Sequence, residues 1–202
     1  MKALIIVDVQ NDFLPGGALA VPQGDQVIAR INAVQVDYDL VVATQDWHPA
    51  AHGSFASNHP DAQVLETVDL NGLTQVLWPD HCVQGTLGAA LALELDQQGV
   101  AAIFRKGMDP KVDSYSGFFD NAQLHSTGLA DYLKGKGVTK VAVCGLAADY
   151  CVFYTARDAL ELGFEVEILT SATRPIDPQG WEEIRQAFVS LGGSLEIDAA
   201  GE

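Results

Sequence analysis

Short runs of apolar residues alternate along the chain with longer stretches in which apolar residues recur at helical spacing. Five apolar runs predict buried parallel strands, at residues 2–9, 40–45, 100–106, 140–145 and 165–171. Four stretches predict helices, namely GDQVIARINAVQVDY, STGLADYLKGKG, DYCVFYTARDALELG and WEEIRQAFVSLGG. The alternation predicts a doubly wound α/β fold in three layers, with helices on both faces of a mainly parallel sheet.

Residues 46–90 interrupt this rhythm. They are rich in His, Pro, Asn and Gly, and they are too long for a neutral connection between two strands. We interpret them as a functional insertion. A length of 202 residues with 48% hydrophobic residues fits one domain over residues 1–202 that contains this insertion.

The charge of the chain narrows the choice of partners. With 11 basic and 27 acidic residues the formal net charge is -16, which disfavours nucleic acid and anionic membranes as partners. The N-terminal apolar run is interrupted at Asp8, too early for a secretory signal or a membrane span, so we expect a cytoplasmic protein. No GxGxxG or phosphate-loop motif predicts a nucleotide cofactor. The sequence leaves open whether the protein is a monomer or a homo-oligomer.

Polar residues stand where the predicted strands end, and ligands of open parallel sheets bind at that edge. Asp8 follows the first strand, Asp46 and His48 the second, and Lys106 the third, while a turn after the fourth leads to Cys151. A carboxylate leaving an apolar run is desolvated, which raises its pKa and suits Asp8 to exchange a proton with a thiol. The charge of Lys106 would stabilise a thiolate and a tetrahedral anion. The alternative is that these are ordinary solvated residues at strand ends.

The three cysteines differ in their surroundings. Cys151 begins a predicted helix with Asp149 as its N-cap, and the N–H groups and dipole of a helix start favour a thiolate. The alternative for Cys151 is a small buried hydrophobic residue. Cys144, inside the run VAVCG, and Cys82, beside His81, are predicted to fill the core.

A metal site is predicted in and near the insertion. Asp46 and His48 are two residues apart in extended chain, so their side chains leave on the same side. His81 would complete a set of two histidines and one carboxylate that leaves positions open for water or substrate. The sequence leaves open whether His52 is a fourth ligand or supports the others. The remaining two histidines are interpreted as ordinary loop residues.

Six segments, in this order, resemble the nicotinamidase family of the isochorismatase-like hydrolases: IIVDVQNDF, TQDWHPAAHGSF, WPDHCVQG, FRKG, DSYSGFFD and GLAADYC. The family consists of nicotinamide amidohydrolases, also called pyrazinamidases. The resemblance covers almost the whole chain and thins after about residue 172. It implies the isochorismatase-like fold and metal-dependent hydrolysis of nicotinamide to nicotinate and ammonia in NAD salvage, through a cysteine thioester, with pyrazinamide also accepted.

The resemblance also implies roles for individual residues. Cys151, Asp8 and Lys106 match the catalytic set of the family. Asp46, His48 and His81 match the ligands of one divalent metal ion, zinc in the first place, with iron or manganese as alternatives.

Further roles concern the substrate. The resemblance implies a cis peptide between Leu146 and Ala147, and an oxyanion hole formed by the backbone N–H groups of Ala147 and Cys151. The residues that would surround the pyridine ring are Phe13, Leu19, Trp78, Tyr115 and Tyr150. One departure is Ala148, which stands where family members commonly have Thr.

Two other functions remain open at this point. A ureido or carbamoyl amidohydrolase on the same fold would keep the cysteine set and need no metal. A metal-binding or redox-sensing module without turnover would use the histidines and Cys82 or Cys151 as its switch.

Overall fold

The computed structural model describes residues 1–196, and these form a six-stranded parallel sheet with helices on both faces and a separate hairpin. The elements in chain order are β1 (Lys2–Val7), α1 (Gln26–Val34), β2 (Leu40–Asp46), β3 (Thr67–Leu70), β4 (Leu73–Val76), β5 (Val100–Lys106), α2 (Leu129–Gly135), β6 (Lys140–Leu146), α3 (Phe153–Glu161), β7 (Glu165–Arg174), α4 (Pro178–Ser190) and β8 (Ser194–Leu195). All five strands predicted from the sequence are present, and the doubly wound fold is confirmed.

The order of the strands explains where a site can form. The sheet runs β5-β2-β1-β6-β7-β8, so the chain builds outward from β1 on one side and then returns to build outward from β6 on the other. This reversal creates a crevice at the carboxyl ends of β1 and β6, which is where ligands of doubly wound sheets bind. The predicted functional residues Asp8 and Ala147 directly follow these two strand ends.

Both faces of the central strand are covered. Along β1, Leu4 and Ile6 pack on the side of α1, while Ile5 and Val7 pack on the side of α2 and α3. A strand buried on both faces has to be apolar at every position, which is why the run ALIIV shows no alternation. Within the part of the chain that the structure describes, no helix is long and apolar enough to cross a membrane.

Two features of the fold were missed in the sequence. Strands β3 and β4 form an antiparallel hairpin inside the 46–90 insertion, joined by Asn71 and Gly72 at φ 54° and 87°. Asn-Gly is the strongest short-range signal for such a turn, so this hairpin was predictable. Strand β8 has two residues, too few to show any periodicity.

Candidate active site

Asp8 stands at the centre of the site. The strand β1 ends at Val7, and Asp8 takes a positive φ of 47° that turns its side chain into the interior. Its Oδ1 accepts a hydrogen bond of 2.6 Å from the hydroxyl of Thr44 on β2. Burial raises the pKa of Asp8 above its ordinary value, and the positive charge of Lys106 opposes that rise. The carboxyl group is therefore suited to exchanging protons.

The close approach of β6 to Asp8 depends on a glycine. Gly145 has a φ of 108°, and a Cβ atom at this position would collide with the carbonyl oxygen of Val7. Only a residue without a side chain allows the two strand ends to lie together here.

Lys106 joins the predicted groups to one another. Its side chain is buried, with 2% of the residue exposed, which contradicts the alternative of a solvated lysine. Its Nζ lies 2.9 Å from an oxygen of Asp8, 2.9 Å from an oxygen of Asp46 and 3.5 Å from the Sγ of Cys151, and it donates to the carbonyl of Ser114 at 2.8 Å. Burial disfavours its charge, but the carboxylates of Asp46 and Asp8 outweigh burial and hold the pKa of Lys106 well above its usual value. Lys106 is therefore positively charged, and it links the end of β1, the end of β2 and the turn that carries Cys151.

Cys151 lies in a wide helical turn, Ala148–Val152, between β6 and α3. The peptide bond between Leu146 and Ala147, just before this turn, is cis, as the resemblance implies. Burial raises the pKa of the Cys151 thiol well above its usual value, although Lys106 opposes the rise. Burial therefore opposes the thiolate that the helix start was expected to favour, because loss of solvation penalises the charged form of the thiol.

The predicted capping role of Asp149 is also wrong. The helix α3 continues directly from the wide turn, and no side chain caps either segment. The carboxylate of Asp149 instead accepts hydrogen bonds from the backbone N–H groups of Ile176, at 2.9 Å, and Asp177, at 2.7 Å. Asp149 thus ties the loop after β7 to the turn that carries Cys151.

Replacing Asp149 by Ala is expected to lower the free energy of unfolding by about 2–3 kcal/mol, because two N–H groups lose a charged acceptor. Asp177→Ala is a matched control, since Asp177 caps α4 at an exposed position by accepting from the N–H of Gln179 at 3.0 Å. Loss of that cap costs about 1 kcal/mol. Urea unfolding of both variants measures the difference, and equal losses would contradict a special role for Asp149.

A second cluster lies on the other side of Lys106. One oxygen of Asp46 lies 2.9 Å from Nε2 of His48 and 3.4 Å from Nε2 of His81. The Nδ1 atoms of the two rings face the backbone carbonyls of Gly107 and Pro79, each at 2.8 Å. Both Nε2 atoms thus face the same carboxylate oxygen, as the ligands of one shared cation do. This donor set therefore fits a divalent metal ion.

His52 lies beside this cluster but belongs to a different group of donors. The rings of His52 and His48 have their centroids 4.3 Å apart. The potential ligand atoms near His52 belong to His48 and Asp113, while Asp46 and His81 form their own group with His48. Burial lowers the pKa of His52 to about 4, so its ring is neutral at physiological pH.

An aromatic cavity connects the two clusters. All five residues predicted to surround a substrate ring line this cavity, namely Phe13, Leu19, Trp78, Tyr115 and Tyr150. The same lining includes Asp46, His81, Ala147 and Cys151. The indole N–H of Trp78 donates to the hydroxyl of Tyr115 at 3.2 Å, and the rings of Trp78 and Tyr150 meet edge to face at 4.9 Å. The cavity thus offers apolar walls with a thiol and a cluster of metal donors in the same lining.

Two residues that line this cavity were missed in the sequence. Asp113 lies in the segment DSYSGFFD, where only Tyr115 was selected. Ile176 lies where the resemblance thins, and nothing local distinguishes it from an ordinary loop residue.

Comparison with known proteins agrees with this arrangement. The Isochorismatase domain family matches residues 2–193. The nicotinamidase of Escherichia coli (strain K12) is 45% identical over 205 residues, covering 99% of this chain and 92% of that protein.

Two solved structures share the fold and hold small ligands. The L. infantum protein PnC1, in complex with nicotinate, has a TM-score of 0.87 and 40% identity, and the match covers 99% of this chain and 94% of that one. The pyrazinamidase of Pyrococcus horikoshii, in complex with zinc, has a TM-score of 0.80 and 39% identity, and the match covers 96% of this chain and 98% of that one. The chain therefore belongs to the nicotinamidase family of isochorismatase-like hydrolases.

Proposed function

We propose that this chain is an amidohydrolase that converts nicotinamide and water to nicotinate and ammonia, and that it also accepts pyrazinamide. The observation that carries the proposal is the cavity in which a buried Cys151 and the donors of a metal site share aromatic walls. The E. coli relative is a nicotinamidase, and the L. infantum structure holds nicotinate, the expected product. The reaction would return nicotinamide to NAD synthesis in the cytoplasm.

The insertion at residues 46–90 would serve as the ion-binding and ring-binding part of a single domain. We assign Asp46, His48 and His81 as the ligands of zinc, with iron and manganese suited to the same donors. When bound, the ion supplies a Lewis-acid anchor for the pyridine nitrogen. Phe13, Trp78 and the two lining tyrosines would hold the ring and direct its carboxamide toward Cys151.

The chemistry would begin with transfer of the Cys151 thiol proton to Asp8, because a thiol with a raised pKa needs a base. The thiolate attacks the carboxamide carbon, and the N–H groups of Ala147 and Cys151 donate hydrogen bonds to the developing oxyanion. The positive charge of Lys106 stabilises the thiolate of Cys151, since Nζ lies 3.5 Å from Sγ. Asp8 then protonates the amide nitrogen, which leaves as ammonia. It later takes a proton from the water that hydrolyses the thioester, and return of this proton to Cys151 restores the thiol as nicotinate leaves.

The proposed base predicts a change in pH dependence. The Thr44 hydrogen bond lowers the pKa of Asp8, so Thr44→Val raises that pKa. The carboxylate form is then lost at a higher pH, and the acid limb of kcat/KM is expected to move to higher pH. Thr173→Val is the control, since this buried hydroxyl donates to the carbonyl of Gly145. An acid limb that stays in place in Thr44→Val would contradict Asp8 as the base.

Ammonia release from nicotinamide tests the function as a whole. Removing the metal by chelation is expected to lower kcat/KM by about 10²-fold, because the ring loses its orientation, and zinc is expected to restore it. His81→Gln should lose the response to zinc, while His59→Gln should keep it, since His59 contacts the carbonyl of Gly53 instead. Release of ammonia from ureido or carbamoyl amides alone would favour that class of amidohydrolase. No turnover of any amide would favour a non-catalytic module.

A further inference from the structure

The three buried histidines near the proposed ion differ in the partners of their Nδ1 atoms. A backbone carbonyl can only accept a hydrogen bond and a backbone N–H can only donate one, so such a partner shows which ring nitrogen carries hydrogen. His48 and His81 face the carbonyls of Gly107 and Pro79, so their Nδ1 atoms carry hydrogen. Their Nε2 atoms are then free to ligate a metal ion.

His52 has the opposite arrangement. The backbone N–H of Ser54 donates to Nδ1 of His52 at 3.2 Å, and the Ser54 hydroxyl lies 2.7 Å from the same atom. An Nδ1 atom that accepts a hydrogen bond carries no hydrogen, so the ring hydrogen of His52 lies on Nε2. A protonated Nε2 has no lone pair to offer to a metal ion.

The Nε2 atom of His52 is buried, and within residues 1–196 it has no hydrogen-bond partner, although His52 is 0% exposed. One nitrogen of His52, one of His48 and one oxygen of Asp113 lie within 4.8 Å of one another. A buried donor without an acceptor is costly. His52 and Asp113 are therefore close enough for one water molecule to bridge them.

Asp113 is well placed to be that acceptor. It is 3% exposed, and its two oxygens accept from the side-chain amide of Gln75 at 2.9 Å and from the N–H of Ser114 at 2.8 Å. These contacts hold the carboxylate in one orientation while leaving it further lone pairs. Gln75 comes from the β3–β4 hairpin, so the hairpin contributes to this position.

We infer that His52 is a positioning residue rather than a fourth metal ligand, and that its Nε2–H and the Asp113 carboxylate bind one water molecule beside His48. The inference rests on the proposed function for the ligand set of Asp46, His48 and His81. It does not depend on which amide is hydrolysed. The water would lie at the metal-binding end of the cavity, because Asp113 and Asp46 both line it.

The tautomer can be measured without turnover, by long-range ¹H–¹⁵N correlation NMR on histidine-labelled full-length protein before and after addition of zinc. His52 is expected to keep hydrogen on Nε2 in both states, while zinc shifts the Nε2 resonances of His48 and His81. His59 is an internal control for hydrogen on Nε2, because this atom faces the carbonyl of Gly53.

Ser54→Ala removes the hydroxyl and keeps the backbone donor, so the His52 tautomer should not change. Hydrogen on Nδ1 of His52, with a zinc-induced shift of Nε2, would overturn the inference.

Zinc affinity and a crystal structure test the two halves of the inference separately. In chelator competition, His52→Gln is expected to weaken zinc binding by roughly 10-fold, as for a residue that supports ligands without being one. His48→Gln should abolish stoichiometric binding, and an equal loss in His52→Gln would make His52 a ligand. A zinc-loaded crystal structure should show a water within hydrogen-bond distance of His52 Nε2 and an Asp113 oxygen. Zinc bound to His52, or no water between His52 and Asp113, would refute the proposed water site. Failure of ammonia release alone would refute only the proposed substrate.

Discussion

Cys151→Ala is expected to lower kcat for nicotinamide hydrolysis by about 10⁴-fold or more, because no thioester can form without the thiol. The substitution removes one buried sulfur atom that contacts Lys106 at 3.5 Å. The aromatic walls and the proposed metal ligands do not depend on that contact. Nicotinamide binding should therefore remain measurable by calorimetry in the variant, while ammonia release disappears.

Cys144→Ala is the matched control for this prediction. Cys144 is fully buried in β6, and its Sγ faces the carbonyl of Ile5 at 3.7 Å. Its removal should cost stability and leave kcat close to that of the wild type. Substantial turnover by Cys151→Ala, or an equal loss in Cys144→Ala, would refute covalent catalysis by Cys151.

Asp8→Asn is expected to lower kcat by about 10³-fold, because an amide side chain cannot take the thiol proton or pass it to the nitrogen that leaves as ammonia. The amide has nearly the same size as the carboxyl group, and its oxygen can still accept from Thr44. Lys106 keeps Asp46 as a counter-ion, so its charge remains paired. The loss should therefore fall on kcat far more than on KM.

Asp12→Asn is the control for Asp8→Asn. The carboxylate of Asp12 accepts from the backbone N–H groups of Cys82, at 2.7 Å, and Ala18, at 3.3 Å, so its role is structural. Steady-state assays of both variants, with near-ultraviolet circular dichroism to check the fold, make the comparison. Wild-type kcat in Asp8→Asn would exclude Asp8 as the base.

Much of the fold could be predicted from the sequence, because the apolar pattern that specifies a buried strand lies within a few neighbouring residues. The run from Ala3 to Val7 is apolar at each position, and a strand buried on both faces needs that pattern. Strands β2 and β6 contain apolar runs at 40–43 and 141–146, and the ends of these strands locate Asp46 and Ala147 at one edge of the sheet. The β3–β4 hairpin was equally local but was missed within a segment selected for its histidines.

The residues of the candidate active site could be predicted from the sequence only in part. Strand-end positions and the family resemblance selected Asp8, Lys106 and Cys151, and the structure places the Nζ of Lys106 next to the other two. Their roles remain predictions for the experiments above. Asp113 was missed because it follows no strand end, and Ile176 was missed because an apolar residue in the loop after β7 has no side-chain group that signals chemistry.

The sequence by itself determined the layers of the fold, the identity of most residues that line the cavity and the family to which the chain belongs. These follow from apolar spacing, strand ends and motifs, which are properties of neighbouring residues. Only the tertiary structure decided that the thiol of Cys151 has a raised pKa, that Asp149 binds the loop at Ile176, and that Nδ1 of His52 accepts a hydrogen bond. Desolvation depends on every atom packed around a group, and the partner of Asp149 lies 27 residues away, so no local pattern contains either fact.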